Sequence, residues 1–209
     1  MKSSLFKQGI VAIIGIAFAL GAVTGSVAAP KKGGILNFVV GSKIPSYDGH
    51  IESTFGMIHP IRPFYSLLFR VNPDNPADPT DFQCDVCEGN IPSGAKGGTE
   101  YTFKIRKGLQ FHDGTPLNAH DVKATFDKIV FPPKGVASNR KAMFKMVKSI
   151  EVPDDHTIVF TLHFPSGAFI PSTGMPFNFI YSKKDLDAHG YEWHKKNVNG
   201  SGAFIFVEH

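Results

Sequence analysis

Two cysteines and one tryptophan are all that this 209-residue sequence holds of either type. Two cysteines cannot build the disulfide framework on which small secreted domains depend. With 42% hydrophobic residues the chain can bury a core without one. Charge of one sign is also lacking, since 22 Lys and Arg stand against 18 Asp and Glu. That balance excludes an acidic solvating tail and gives no basic surplus of the kind that nucleic acid attracts. No apolar run reaches the roughly 20 residues needed to span a bilayer. No Gly-x-Ser-x-Gly elbow occurs, so the strand-to-helix signature of an α/β-hydrolase nucleophile is missing. Repeats and heptads are absent. What is plentiful is phenylalanine, 19 residues against 5 Tyr, together with 21 Gly and 15 Pro. So many turn formers favour short strands and loops over a helical bundle.

At the N-terminus, Lys2 and Lys7 precede an apolar run from Ile10 to Val23, followed by small residues from Thr24 to Ala29. This is the order of a secretory signal peptide. Ser26-Val27-Ala28 suits cleavage after Ala28, and no Cys follows the run to accept a lipid. Residues 1–28 therefore read as a leader, and losing Lys2 and Lys7 lowers the formal charge of +4 by two.

Periodicity orders the rest. Ile35 to Val40 reads as a buried strand, and Thr54 to Phe69 as helix interrupted by Pro60 and Pro63. Asn72 to Pro79 and Pro92 to Thr99 are turn-rich. Tyr101 to Arg106 alternates, which puts Tyr101, Phe103 and Ile105 on an inner face. Asn118 to Ile129 is the clearest helix. Asn118 can cap it, Asp121 lies three residues on, and Val122, Phe126 and Ile129 share a face. A second helix is expected over 139–147, with strands over 156–164, 177–181 and 202–207. Helices and strands mixed without a strict repeat point to α/β or α+β with a mixed sheet.

The stretch Tyr101-Thr102-Phe103-Lys104-Ile105-Arg106-Lys107-Gly108, then Phe111-His112-Asp113-Gly114-Thr115-Pro116, then Ala119-His120-Asp121-Val122 is a strand, a tight turn and a capped helix. It contains no nucleophile–base pair. As a pattern it resembles the signature of the family 5 extracellular solute-binding proteins of ABC importers. Gly33-Gly34-Ile35-Leu36, the loop Ser42 to Asp48 and Gly200-Ser201-Gly202-Ala203-Phe204 agree with it in order. Ala203 stands where the family usually has Pro. The resemblance implies a mixed α/β fold, the N-terminal lobe portion of a two-lobed periplasmic-binding-protein-like architecture with flanking helices. It divides the chain into a first-lobe strand and loop (29–56), an additional family-specific domain (57–167) and a return to the first lobe (168–209), stopping before the second lobe. It further implies no catalysis and no cofactor. The solute would be small, most readily a peptide, and the partners a permease and ATPase in the inner membrane, with no nucleic acid. Location would be the periplasm, without a lipid anchor.

For a ligand, the places that the family uses offer Phe55, Met57, Arg140, Met175 and Phe177. Arg140 is of most interest, because a guanidinium fork suits a carboxylate. Cys84-Asp85-Val86-Cys87 in an exported chain reads first as a local disulfide. A metal or redox module on this pair is the alternative, although Glu88 stands where haem attachment needs His, and zinc would need two further ligands. Nine scattered His residues, none spaced as His-x-x-x-His, supply no such set. A secreted hydrolase whose catalytic half lies elsewhere is the other alternative.

Overall fold

Strand β4 (Glu100–Ile105) alternates as its sequence requires: Tyr101, Phe103 and Ile105 are buried while Thr102 and Lys104 face out. In the computed structural model, which describes residues 33–209, it lies in a four-stranded sheet of order β3-β4-β6-β5. The other strands are β3 (Cys87–Glu88), β5 (Val147–Asp154) and β6 (Thr157–Leu162). Every pairing is antiparallel, where a mixed sheet was expected, with Tyr101 opposite Phe160 and Phe103 opposite Ile158. A separate hairpin joins β1 (Phe69–Val71) to β2 (Phe82–Cys84). Its connector is the Asn- and Pro-rich stretch, closed where Asn72 and Asn75 side-chain amides both donate to the Asp81 carboxylate.

Helix α2 (Ala119–Val130) starts as its sequence dictates. The Asn118 side chain accepts from the His120 amide, and Asp121 accepts from the Asn118 amide, 2.9 Å away. These bonds satisfy donors that a helix start leaves open. Val122, Phe126 and Ile129 are fully buried and pack with Phe103, Ile158 and Phe160 in the larger of two apolar clusters. The smaller cluster gathers Met57, Ile61, Tyr65, Leu67, Phe179 and Tyr181. It forms around α1 (Phe55–Ile61), which passes into a 3-10 turn at Arg62–Phe64, the break expected from Pro60 and Pro63. Short helices α3 (Phe169–Thr173) and α4 (Lys183–His189) complete the set among the described residues. None of these helices is long and apolar enough to cross a membrane.

Four of the described segments depart from expectation, those over 35–40, 139–147, 177–181 and 202–207. The leader over residues 1–28 lies outside the described residues. Residues 35–40 belong to no strand, so that apolar run, read as a buried strand, is extended chain without a ladder. Over 139–147 there is only a 3-10 turn at Lys141–Phe144, and Val147 already belongs to β5. Residues 178–181 are buried and Phe177 half-buried, but the segment spends its polar groups elsewhere. The Asn178 side chain donates to the Ser172 and Thr173 carbonyls, and the Tyr181 amide donates to Thr125 Oγ1. Residues 202–207 pair with no strand; Gly202 N donates to the Phe64 carbonyl, Phe204 N to the Pro63 carbonyl, and the Gly202 carbonyl faces His112 Nε2.

Candidate ligand-binding face

Between α1, the Arg62–Phe64 turn and the Pro176–Phe177 segment lies a depression of about 520 Å³. Phe55 stands at its edge, three-quarters exposed, and stacks on His59 one helical turn on, with 5.3 Å between ring centroids. Across the depression sits the half-buried Phe177. Arg62 and Arg70 border it as well. The Arg62 guanidinium is partly desolvated, which lowers its pKa, and Asp85 at 3.6 Å opposes that shift. Arg70 is exposed and enters no ion pair among the described residues. Two guanidinium groups answered by one carboxylate leave this face positive.

Of the five residues that the sequence singled out, the structure brings three together. Phe55 and Phe177 face one depression, and the Arg140 guanidinium lies 4.3 Å from the Phe177 ring centroid. Arg140 is buried, however, and its fork is already engaged. Nη1 donates to the Gly49 carbonyl at 2.7 Å, and Nη2 donates to the Glu52 carbonyl. Desolvation lowers its pKa to about 10, so it stays charged at neutral pH. Arg140 therefore fixes the loop leading to Phe55 and the ring of Phe177; of its donors only the buried Nε has no partner. Met57 is wholly buried in the smaller cluster and has no surface to present. Met175 is half-buried and does not border the depression.

Beneath the face lies a buried polar network that periodicity did not disclose. Asp48 and Lys128 form an ion pair of 2.6 Å with both side chains 1% exposed. Tyr181 Oη donates to Asp48 Oδ1 at 3.0 Å and accepts from the Gly49 amide at 2.9 Å. His50 Nε2 lies 2.9 Å from the Phe179 carbonyl. A carbonyl only accepts, so Nε2 carries the proton and the unpartnered Nδ1 is bare. His194 stacks on Tyr181 at 3.8 Å between centroids, with neither ring nitrogen hydrogen-bonded. Burial foremost, then the Lys128 charge, holds both imidazoles below their ordinary pKa, His194 at about 3. Burial likewise pulls the Lys128 ammonium down, and Asp48 beside it pulls it back.

One signal for this network was present in α2. Asp121, Thr125 and Lys128 follow at i, i+4 and i+7 and are all buried. Asp121 accepts from the Lys183 amide, Thr125 from the Tyr181 amide, and Lys128 reaches Asp48. The helix thus carries a polar stripe beside its apolar one, and the stripe anchors the chain from Tyr181 to Lys183. Arg62 and Arg70 gave no signal beyond their charge.

The motif stretches also meet in space. His112 donates its amide to the Gly200 carbonyl at 2.8 Å, and its Nε2 lies 3.0 Å from the Gly202 carbonyl. Gly200 presses so closely on the Phe64 carbonyl that an added Cβ would lie 1.8 Å from its oxygen. Cys84 and Cys87 are joined by a disulfide, with 4.9 Å between Cα atoms. Among the described residues, no group of three His, Cys, Asp or Glu side chains is arranged to hold a metal ion.

Comparison with known proteins accounts for the motifs. Residues 92–209 match the profile described as bacterial extracellular solute-binding proteins, family 5 Middle. The oligopeptide-binding protein AppA of Bacillus subtilis is 34% identical over 117 residues, 54% of this chain and 21% of AppA. The probable D,D-dipeptide-binding periplasmic protein DdpA of Escherichia coli is 30% identical over 150 residues, 68% of this chain and 27% of DdpA. The structure of Bacillus subtilis AppA in complex with a nonapeptide superposes with a TM-score of 0.66 at 26% identity, covering 78% of this chain and 32% of that one. The chain thus spans about a fifth to a quarter of the length of these curated relatives. The matched residues include Arg140 and Phe177, whereas Phe55, Arg62 and Arg70 precede them. With its profile match covering more than half its length, the chain belongs to the family 5 bacterial extracellular solute-binding proteins.

Proposed function

We propose that the chain is the solute-capturing component of an ABC importer, taking a peptide on the Phe55–Phe177 face and delivering it to a permease driven by an ATPase. The observation that carries this reading is the pairing of apolar rings with the uncompensated Arg70 at one depression. A fork of donors suits a carboxylate, and flat rings suit a chain of peptide groups. Arg70 takes the role that Arg140, committed to main-chain carbonyls, is not free to fill. The similarity to AppA, an oligopeptide-binding protein, and to DdpA, a probable D,D-dipeptide-binding protein, supports a peptide over a sugar or an opine.

The same reading places residues 1–28 as an export leader, with the periplasm as destination and no lipid anchor. Residues 57–167 are the additional domain, between first-lobe segments at 29–56 and 168–209. A solute held on one wall loses part of the enclosure that two lobes provide, so binding to this chain alone should be weaker than micromolar. The test is a titration with a tripeptide as free acid and as C-terminal amide, followed by NMR. The free acid should perturb Phe55, His59 and Phe177 and bind about tenfold more tightly than the amide, a difference that Arg70→Ala abolishes. Equal binding of acid and amide would remove Arg70 from its role. No perturbation of these rings by either would remove the face.

A further inference from the structure

Between Asp127 and Glu151 the sequence contains six basic residues and no acid. Two of them turn inward, Lys128 to Asp48 and Arg140 to main-chain carbonyls. Lys134, Lys141, Lys145 and Lys148 remain exposed, and among the described residues none joins an ion pair. Lys141 and Lys145 stand at the border of a second depression, of about 460 Å³, where the end of α2 meets the Lys141–Phe144 turn and β5. Its walls include Phe131, Ala142 and Phe144, and Phe131 is 45% exposed, a large ring left facing water. The hydrogen-bonding groups along the wall are already used. Ser138 Oγ donates to the Ile129 carbonyl at 2.7 Å, and the Asn139 amide donates to the Ile51 carbonyl.

A depression of this volume is within the range that small molecules occupy. Its walls recognise apolar surface, its two ammonium groups recognise negative charge, and it has few donors to spare for a sugar or a peptide backbone. We infer that it is a second ligand site, distinct from the Phe55–Phe177 face, and that it takes an amphiphilic anion. The apolar chain lies along Phe131 and Ala142, and a carboxylate or phosphate head sits between Lys141 and Lys145. Such a head can belong to a free acyl anion or to an anionic lipid of a bilayer surface.

Calorimetric titration of the full chain with decanoate, decyl phosphate and the neutral decyl maltoside, each below its micelle threshold, tests this. Both anions should bind, and the maltoside about tenfold more weakly. Lys141→Glu with Lys145→Glu should weaken the anions about tenfold and leave the maltoside unchanged. Ala142→Trp, which fills the depression, should abolish binding of all three, with circular dichroism confirming the fold. If the Glu pair fails to fold, Lys141→Gln with Lys145→Gln gives the same comparison. Equal affinity for anion and maltoside, or anion binding unmoved by these variants, overturns the site. Co-sedimentation with phosphatidylglycerol vesicles separates the two sources. Lysine-dependent sedimentation identifies a bilayer lipid, and its absence alongside decanoate binding identifies a free amphiphile.

Discussion

The two clusters that share α2 are built on different physics. The larger one packs Phe103, Phe126, Phe160 and Phe169 among aliphatic side chains, with ring pairs such as Phe126–Phe160 nearly perpendicular at 5.2 Å. The smaller one stacks Tyr65 on Phe179 at 4.7 Å, but is bordered by Asp48, His50, Lys128, Arg140 and His194, all buried. Removal of apolar surface from water holds the first together and is nearly indifferent to pH. The second depends on paired charges whose desolvation must be offset by geometry, so it is sensitive to each partner and to protons. The candidate ligand face rests on the second cluster. The candidate ligand face is thus the region whose shape charge can alter.

Phe160→Ala should produce the largest effect, because it empties the centre of the larger cluster. A loss of about 4 kcal/mol is expected in urea unfolding. A loss below about 1 kcal/mol would mean that this cluster is not the main source of stability.

Lys128→Met leaves Asp48 buried without its cation and should cost about 3 kcal/mol. Adding Asp48→Asn should recover part of that loss. Additive losses in the double variant would show that the two side chains do not act as a pair.

Acid should separate the clusters without any mutation. His50 and His194 titrate below their ordinary value in the folded chain, so the unfolded chain binds more protons as pH drops through about 6.5. Stability should therefore decline from about pH 6.5 toward the folded value of about 3 for His194. His194→Phe, which keeps a ring against Tyr181, should flatten that decline. An unchanged slope in the variant would exonerate His194.

The smallest effect should come from Cys84→Ser with Cys87→Ser. The bond closes a short loop, so the unfolded chain loses little freedom by it, and a cost below about 2 kcal/mol is expected. Mass spectrometry of exported protein showing two free thiols would contradict the bond itself.

What could be read from the sequence follows the same division. The alternation of Glu100–Ile105 and the Val122, Phe126, Ile129 stripe are local patterns, and each element formed as its spacing demanded. The polar stripe of the same helix was as regular, yet its partners lie 62, 56 and 80 residues away in the chain, and no local period encodes them. Residues 177–181 failed as a strand for the same reason. Apolar content announced burial, but the amide of Tyr181 finds a threonine hydroxyl instead of a neighbouring strand. At the candidate face, aromatic character made Phe55 and Phe177 visible. The arginine that lies free and the arginine that lies braced could not be told apart by type.

The contact of Gly200 with Phe64 also bears on how the molecule assembles. Ser66 Oγ donates to the Ser201 carbonyl across 135 residues of sequence, and Gly202 N donates to Phe64 across a similar span. Joining such distant positions gains nothing until the chain between them has been shortened by its own structure. The clasp is therefore a closing step, taken after the sheet and α2 exist. A bulky residue at 200 would stall folding there, with residues 200–204 finding no seat against the Arg62–Phe64 turn.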